Sequence, residues 1–167
     1  MKSLGRVYDF SAGLAVYDTN AGAGTGKRVS LRNAQGVSVV FFKAAGSGTD
    51  VPILTLNEAN ASSGGTSQAL AAITTWHKKS ATTLAGTETW TTTTQAAGST
   101  LTLTGEATKQ GIYVFDVDGT SLSDGFCYIS VDIADTGSAG AQWGGIVYVL
   151  HDLEIQRKPA NLAAALS

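Results

Sequence analysis

In the stretch CYISVDIAD, residues 127–135, side chains alternate: Cys127, Ile129, Val131 and Ile133 fall on one side, Tyr128, Ser130 and Asp132 on the other. A period of two is the pleat of a β-strand, and apolar-in, polar-out alternation marks a strand with one buried face. The stretch GVSVVFFK, residues 36–43, is apolar on both sides: Val37, Val39 and Phe41 share one face, Val40 and Phe42 the other, which predicts a strand covered on both sides. Segments of the same kind recur at 28–32, 51–58, 70–79, 87–94, 99–104, 111–117 and 145–155, giving nine predicted strands in 167 residues. The connections TNAGAGTG, AAGSGTD, NASSGG, AAGS, DGTSLSDG and DTGSAG are rich in Gly and Asn, which supply the backbone angles of tight reversals. Strands joined by such turns, with little room for helices, predict an all-β fold: an antiparallel sandwich of jelly-roll type.

Composition narrows what such a sandwich can do. Charged residues are only 14% of the chain and the formal net charge is −2, so the basic footprint of a nucleic-acid-binding protein is missing and no nucleic-acid partner is expected. Thr, Ser, Ala and Gly fill the gap, and Thr-rich strands such as TETWTTTTQ keep an outer face wettable without charge. No segment approaches the roughly 20 apolar residues of a membrane span and no signal-peptide core is evident, so a protein without a membrane partner, made in the cytoplasm, is expected. The single cysteine, Cys127, is read as a small buried hydrophobe.

The ends differ from the middle. Residues 1–27 alternate only loosely and residues 156–167, with Pro159, cannot continue a strand simply, so the domain is set at 28–155 between an amino-terminal arm and a carboxy-terminal tail.

Three motifs suggest chemistry and fail on context. IYVFDVDGTSL, residues 112–122, delivers Asp116 and Asp118 as a haloacid-dehalogenase phosphatase would, but only 49 residues follow and they read as strands and a tail, not a parallel α/β sheet. Asp118-Gly119 is read instead as a turn, with the Asp accepting local backbone hydrogen bonds. The same stretch lacks the Gly and final Glu of a calcium loop. AGAGTGKR, residues 21–28, lacks the first Gly and the hydroxyl of a phosphate-binding loop, and is read as a flexible turn. His77 and His151 stand apart from any second ligand at metal spacing. No catalytic residues, cofactor or metal are expected.

The stretches LRNAQGVSVVFFKAAGSGTDVPILTLNEA and LSDGFCYISVDIADTGSAGAQWGGIVYVLHDLEIQRKP resemble capsid-associated decoration, or cement, proteins of tailed bacteriophages. The shared pattern is DGFxxIxVxIAD, a Gly-rich turn, then an aliphatic-aromatic strand ending in YxL, over most of residues 30–158. The resemblance implies a non-enzymatic structural protein of the virion: a β-sandwich that trimerises, binds the major capsid protein on the outside of the shell, bridges neighbouring subunits and stabilises the head. Contact residues are then expected where apolar bulk lies in weakly periodic segments: Tyr8, Phe10 and Tyr17 in the amino-terminal arm, and Leu162 and Leu166 in the tail. Trp90 is added because Trp76, Trp90 and Trp143 are large for so small-residue a chain. The competing reading is a carbohydrate- or host-binding sandwich on the virion surface, with Trp90 stacking on sugar rings.

Overall fold

The computed structural model describes residues 3–164 and 166. The chain is all-β, with strands β1 (Tyr8–Asp18), β2 (Val29–Ser30), β3 (Ala34–Lys43), β4 (Ile53–Ala59), β5 (Ser67–Ala69), β6 (Ile73–Ala81), β7 (Thr91–Gly98), β8 (Thr100–Thr102), β9 (Gln110–Asp118), β10 (Tyr128–Ile133) and β11 (Trp143–Leu153). They form a six-stranded antiparallel sheet in the order β1-β11-β3-β9-β6-β7 and a second sheet of five, β2-β10-β4-β5 with β8 also on β4. Among the described residues the chain changes sheets at every step except β4 to β5 and β6 to β7, so most neighbours within a sheet are distant in sequence.

All nine predicted strands are present; β1 and β5 are additional. β5 is three exposed residues hydrogen-bonded to β4 and carries no apolar signal. β1 corrects the reading of an arm. Residues 8–18 pair with β11 from Tyr8 opposite His151 to Asp18 opposite Trp143 and form one edge of the six-stranded sheet. Its alternation is loose because the register shifts twice, between Ala12 and Leu14 and between Leu14 and Tyr17. A bulge inserts residues that do not keep the two-residue phase.

The core lies between the sheets. Val37, Val39 and Phe41 of β3, Tyr113, Phe115 and Val117 of β9 and Ile146, Tyr148 and Leu150 of β11 meet Leu54 and Leu56 of β4 and Ile129, Val131 and Ile133 of β10 in one buried cluster. Trp76 belongs to it, its ring tilted against Tyr113 at 6.3 Å between centroids. A hydrogen bond crosses the sandwich: the Val131 amide donates to the Tyr148 hydroxyl at 2.9 Å. Burial pushes the Tyr148 phenol upward, which keeps it neutral. Cys127 is only half-buried, and the Nε of Arg32 lies 3.2 Å from its sulfur, so it is not the enclosed hydrophobe the alternation implied.

The segment 21–28 is neither a phosphate loop nor a flexible turn. Gly24 and Ile133 exchange backbone hydrogen bonds, the Gly26 amide donates to Asp132 Oδ1 at 2.8 Å, and the Lys27 amide donates to the Gly13 carbonyl at 2.7 Å. A side chain at Gly26 would place Cβ 2.1 Å from the Val131 carbonyl oxygen, so glycine here permits the loop to lie directly on β10.

Candidate docking surfaces

Asp116 and Asp118 sit on β9, in the interior of an antiparallel sheet, directly opposite Ser38 and Gly36 of β3. The Ser38 hydroxyl donates to Asp116 Oδ1 at 2.5 Å. Asp118 precedes a single 3-10 turn at Gly119–Ser121, as expected of a strand end, but its carboxylate makes no capping hydrogen bond there. Neither the parallel sheet nor the helix that presents a phosphatase aspartate surrounds this pair.

A cluster of perturbed charged groups lies at the opposite end of the same sheet. Lys43, last residue of β3, is fully buried and donates to the carbonyls of Ala44 (2.9 Å), Ala107 (3.2 Å) and Lys109 (2.5 Å). Burial pulls its pKa down to about 8, against the raising effect of Glu106. Glu106, itself 1% exposed, accepts from Lys78 Nζ at 2.7 Å, Lys109 Nζ at 3.0 Å and the Tyr113 hydroxyl at 3.1 Å. Burial raises its pKa, but hydrogen bonds from Lys78, Ser80 and Lys109 outweigh that and hold the carboxyl at about 2. Perturbed groups of this kind often mark reactive sites. Here all three protons of Lys43 are taken by backbone carbonyls, so the arrangement ties the turn at 105–109 to β3 and β6 and leaves no donor for a substrate.

Two surfaces remain with the character of contact sites. The first is at the chain ends, which the fold brings together. The Arg157 amide donates to the Gly5 carbonyl at 2.7 Å, and the Ile155 amide to Asn33 Oδ1 at 2.8 Å. Gly5 has φ +77°, and a Cβ there would lie 2.3 Å from the Arg157 carbonyl oxygen, so both the turn and the close crossing require glycine. Around this clasp Leu4, Val7 and Ile155 are exposed. A groove of about 330 Å³ is lined by Leu4, Arg6, Gln156, Arg157, Lys158 and Pro159. The surface is apolar with a cationic rim.

The second is the outer face of the six-stranded sheet. Residues directly opposite in an antiparallel ladder share a face. The register therefore lines up Ala12, Val147, Val40, Val114 and His77 in one row across β1, β11, β3, β9 and β6. Neighbouring rows hold Phe10 with Val149, and Phe42 with Ile112 and Lys79. Phe42 is 52% exposed, Trp143 53% and Val16 67%. Val40 and Phe42 do point away from the core, as the sequence indicated, but within the described residues no second layer covers them.

The residues expected to make contacts divide between these surfaces and the core. Tyr8, opposite His151, and Phe10, opposite Val149, are exposed on the outer face near the clasp. Trp90 is exposed beside His77 and Val114 on the same face, with Lys79 Nζ 5.1 Å from its ring centroid. Leu166 is exposed, whereas Leu162 packs partly buried against the core. Tyr17 also packs against the core, its ring lying over Gly24, where a Cβ would fall 2.3 Å from the hydroxyl. Phe42 and Val147 join the outer face although they were not singled out, and Trp143, noted with the other tryptophans for its bulk, lies there as well; the double-sided pattern of GVSVVFFK carried the signal for Phe42.

No family model matches the chain, and no curated protein does. Among solved structures, a chain from T=1 particles derived from infectious bursal virus aligns with 95% of this chain at 11% identity and a TM-score of 0.24. This chain spans 42% of the length of that one, and a likeness so slight carries no functional argument. No described helix is long and apolar enough to cross a membrane.

Proposed function

We propose that the protein is a non-catalytic structural component of a bacteriophage virion, docking on the outside of the capsid shell as a decoration protein. The observation that carries the reading is the terminal clasp. Two segments distant in sequence are tied together at one end of a rigid sandwich. They present Leu4 beside Arg6, Arg157 and Lys158, with Val7 and Ile155 exposed near these residues in the chain. An apolar patch with an Arg-rich rim suits an acidic, partly apolar receptor surface on the major capsid protein. The strands and turns that resemble decoration proteins build the body carrying this end. Binding to a shell displaying many identical sites would stabilise both partners by mass action.

The test is co-sedimentation with emptied, expanded heads of the phage that encodes the chain. Saturable binding and a higher melting temperature of the heads are expected, with an Arg6→Glu/Arg157→Glu variant losing at least tenfold in affinity. Absence of binding at saturating protein would overturn the reading. A carbohydrate-binding role, favoured by exposed Trp90, would appear instead as glycan-array signal that a Trp90→Ala variant lacks.

A further inference from the structure

The outer face of the six-stranded sheet is a large surface, apolar in its middle, whose own layout points to its occupant. Five interstrand spacings of about 4.8 Å by three two-residue steps of about 6.8 Å give a face of roughly 500 Å². Its middle, with Ala12, Val147, Val40 and Val114 between Phe10 and Phe42, is apolar, and Ser38, Asp116 and Asp118 at one end and Lys79 at the other make the rest polar. A pair of such faces would bury about 1,000 Å², the lower limit for a specific interface.

We propose that this face binds a second copy of the same chain face to face, about a two-fold axis lying in the interface and running across the strands. Charge selects that axis. Along β9 and its neighbours the face is graded: Lys79 adjoins Ile112 at one end, while Asp116 and Asp118 stand at the other. An axis across the strands reverses strand direction, so the aspartate end of each copy lies over the lysine end of its partner. An axis along the strands would instead bring the two aspartate ends together and leave Lys79 apart from both, which is repulsive.

Shape agrees with the same axis. Phe42 is carried over the Gly36 position of the second copy's β3, where that copy's own His151 ring lies against the backbone, so the two rings meet. Phe10 is carried over Ala12 of the second copy's β1, large on small. Such self-complementarity is what an isologous pair needs, and a three-fold ring would instead join two different surfaces. The pair would place two terminal clasps at opposite ends, able to engage two neighbouring receptor sites. The pairing itself does not depend on the shell reading.

Sedimentation equilibrium of the isolated protein over a wide concentration range tests it. A reversible dimer is expected, with Val147→Lys lowering the association constant at least tenfold while the circular dichroism spectrum and melting of the monomer stay unchanged. Asp118→Lys should weaken the dimer severalfold, and adding Lys79→Asp to it should restore association, because the reversed pair meets again across the axis. A monomer at all concentrations, a trimer, or a dimer indifferent to Val147→Lys would each overturn the proposal. Shell binding, measured separately, would stand or fall independently.

Discussion

The two outer faces of the sandwich are made of the same kind of strand and finish in opposite ways. On the five-stranded sheet the outward residues of β10 and β4 are Tyr128, Ser130 and Asp132 against Ala59, Asn57 and Thr55. Asp132 accepts from Asn57 Nδ2 at 2.8 Å and from the Gly26 amide at 2.8 Å, so its carboxylate fixes both a strand pair and the loop lying over it. On the six-stranded sheet the equivalent positions hold Val40, Phe42, Val114 and Val147 in the middle, with Asp116 and Asp118 at one end and Lys79 at the other, while Lys43 and Lys78 turn inward. Lys43 is on the buried side of β3 one residue after exposed Phe42, and Lys78 on β6 faces inward toward Glu106. A sheet that buries Lys43 and displays Phe42 beside Val147 carries more exposed apolar surface than scattered single residues would give.

The largest test of this contrast removes the inward charge. Glu106→Gln removes the charge shared by Lys78, Lys109 and the Tyr113 hydroxyl, and should cost about 2 kcal/mol in denaturant unfolding, less than a fully buried pair because both lysines reach solvent. The pH dependence follows from the same group. Its ordinary value of 4.5 is lowered to about 2 in the fold, so the unfolded chain binds a proton that the folded chain does not between those values. Stability from Glu106 is therefore complete above about pH 4.5 and is lost as pH falls toward 2. The Gln variant should show a flatter stability profile across that window. An unaltered profile would mean that the ion pairs do not hold the turn at 105–109.

A smaller effect is expected on the opposite sheet. Asp132→Ala removes the acceptor shared by Asn57 and Gly26 and should cost about 1–2 kcal/mol, with faster amide hydrogen exchange in residues 24–27. Tyr148→Phe leaves the Val131 amide without its partner inside the core and should cost about 1 kcal/mol, read from the same denaturant curves.

Sequence made the inner half of this molecule legible because burial follows the two-residue period wherever a strand is unbroken. Ile129, Val131 and Ile133 were assigned to the core from alternation alone, and they are in it. β1 was hidden because its two register shifts break that period, so Tyr8 and Phe10 read as arm residues when they are outward positions of an edge strand. Lys43 was invisible for another reason. A lysine at a strand end looks solvated, and the carbonyls that accept its protons come from Ala107 and Lys109, more than sixty residues away. The terminal clasp depends likewise on Gly5 meeting Arg157, a pairing that no local pattern encodes.

The smallest expected change in stability is the sharpest probe of the contrast. Phe42→Ser and Phe41→Ser differ by one residue on one strand, yet Phe41 is 1% exposed and Phe42 52%. Removing Phe41 opens a cavity lined by Tyr113, whose ring centroid lies 5.9 Å away, and should cost about 3–5 kcal/mol. Removing Phe42 takes away a side chain that already meets solvent in the monomer, so its unfolding free energy should change by about 0.5 kcal/mol or less when measured well below the concentration of association. If Phe42→Ser is as damaging as Phe41→Ser in dilute protein, the outer face is covered within the single chain and the contrast between the two sheets collapses. If it is silent there and costly only in concentrated protein, the difference between the two measurements is the free energy that the sheet keeps for its partner.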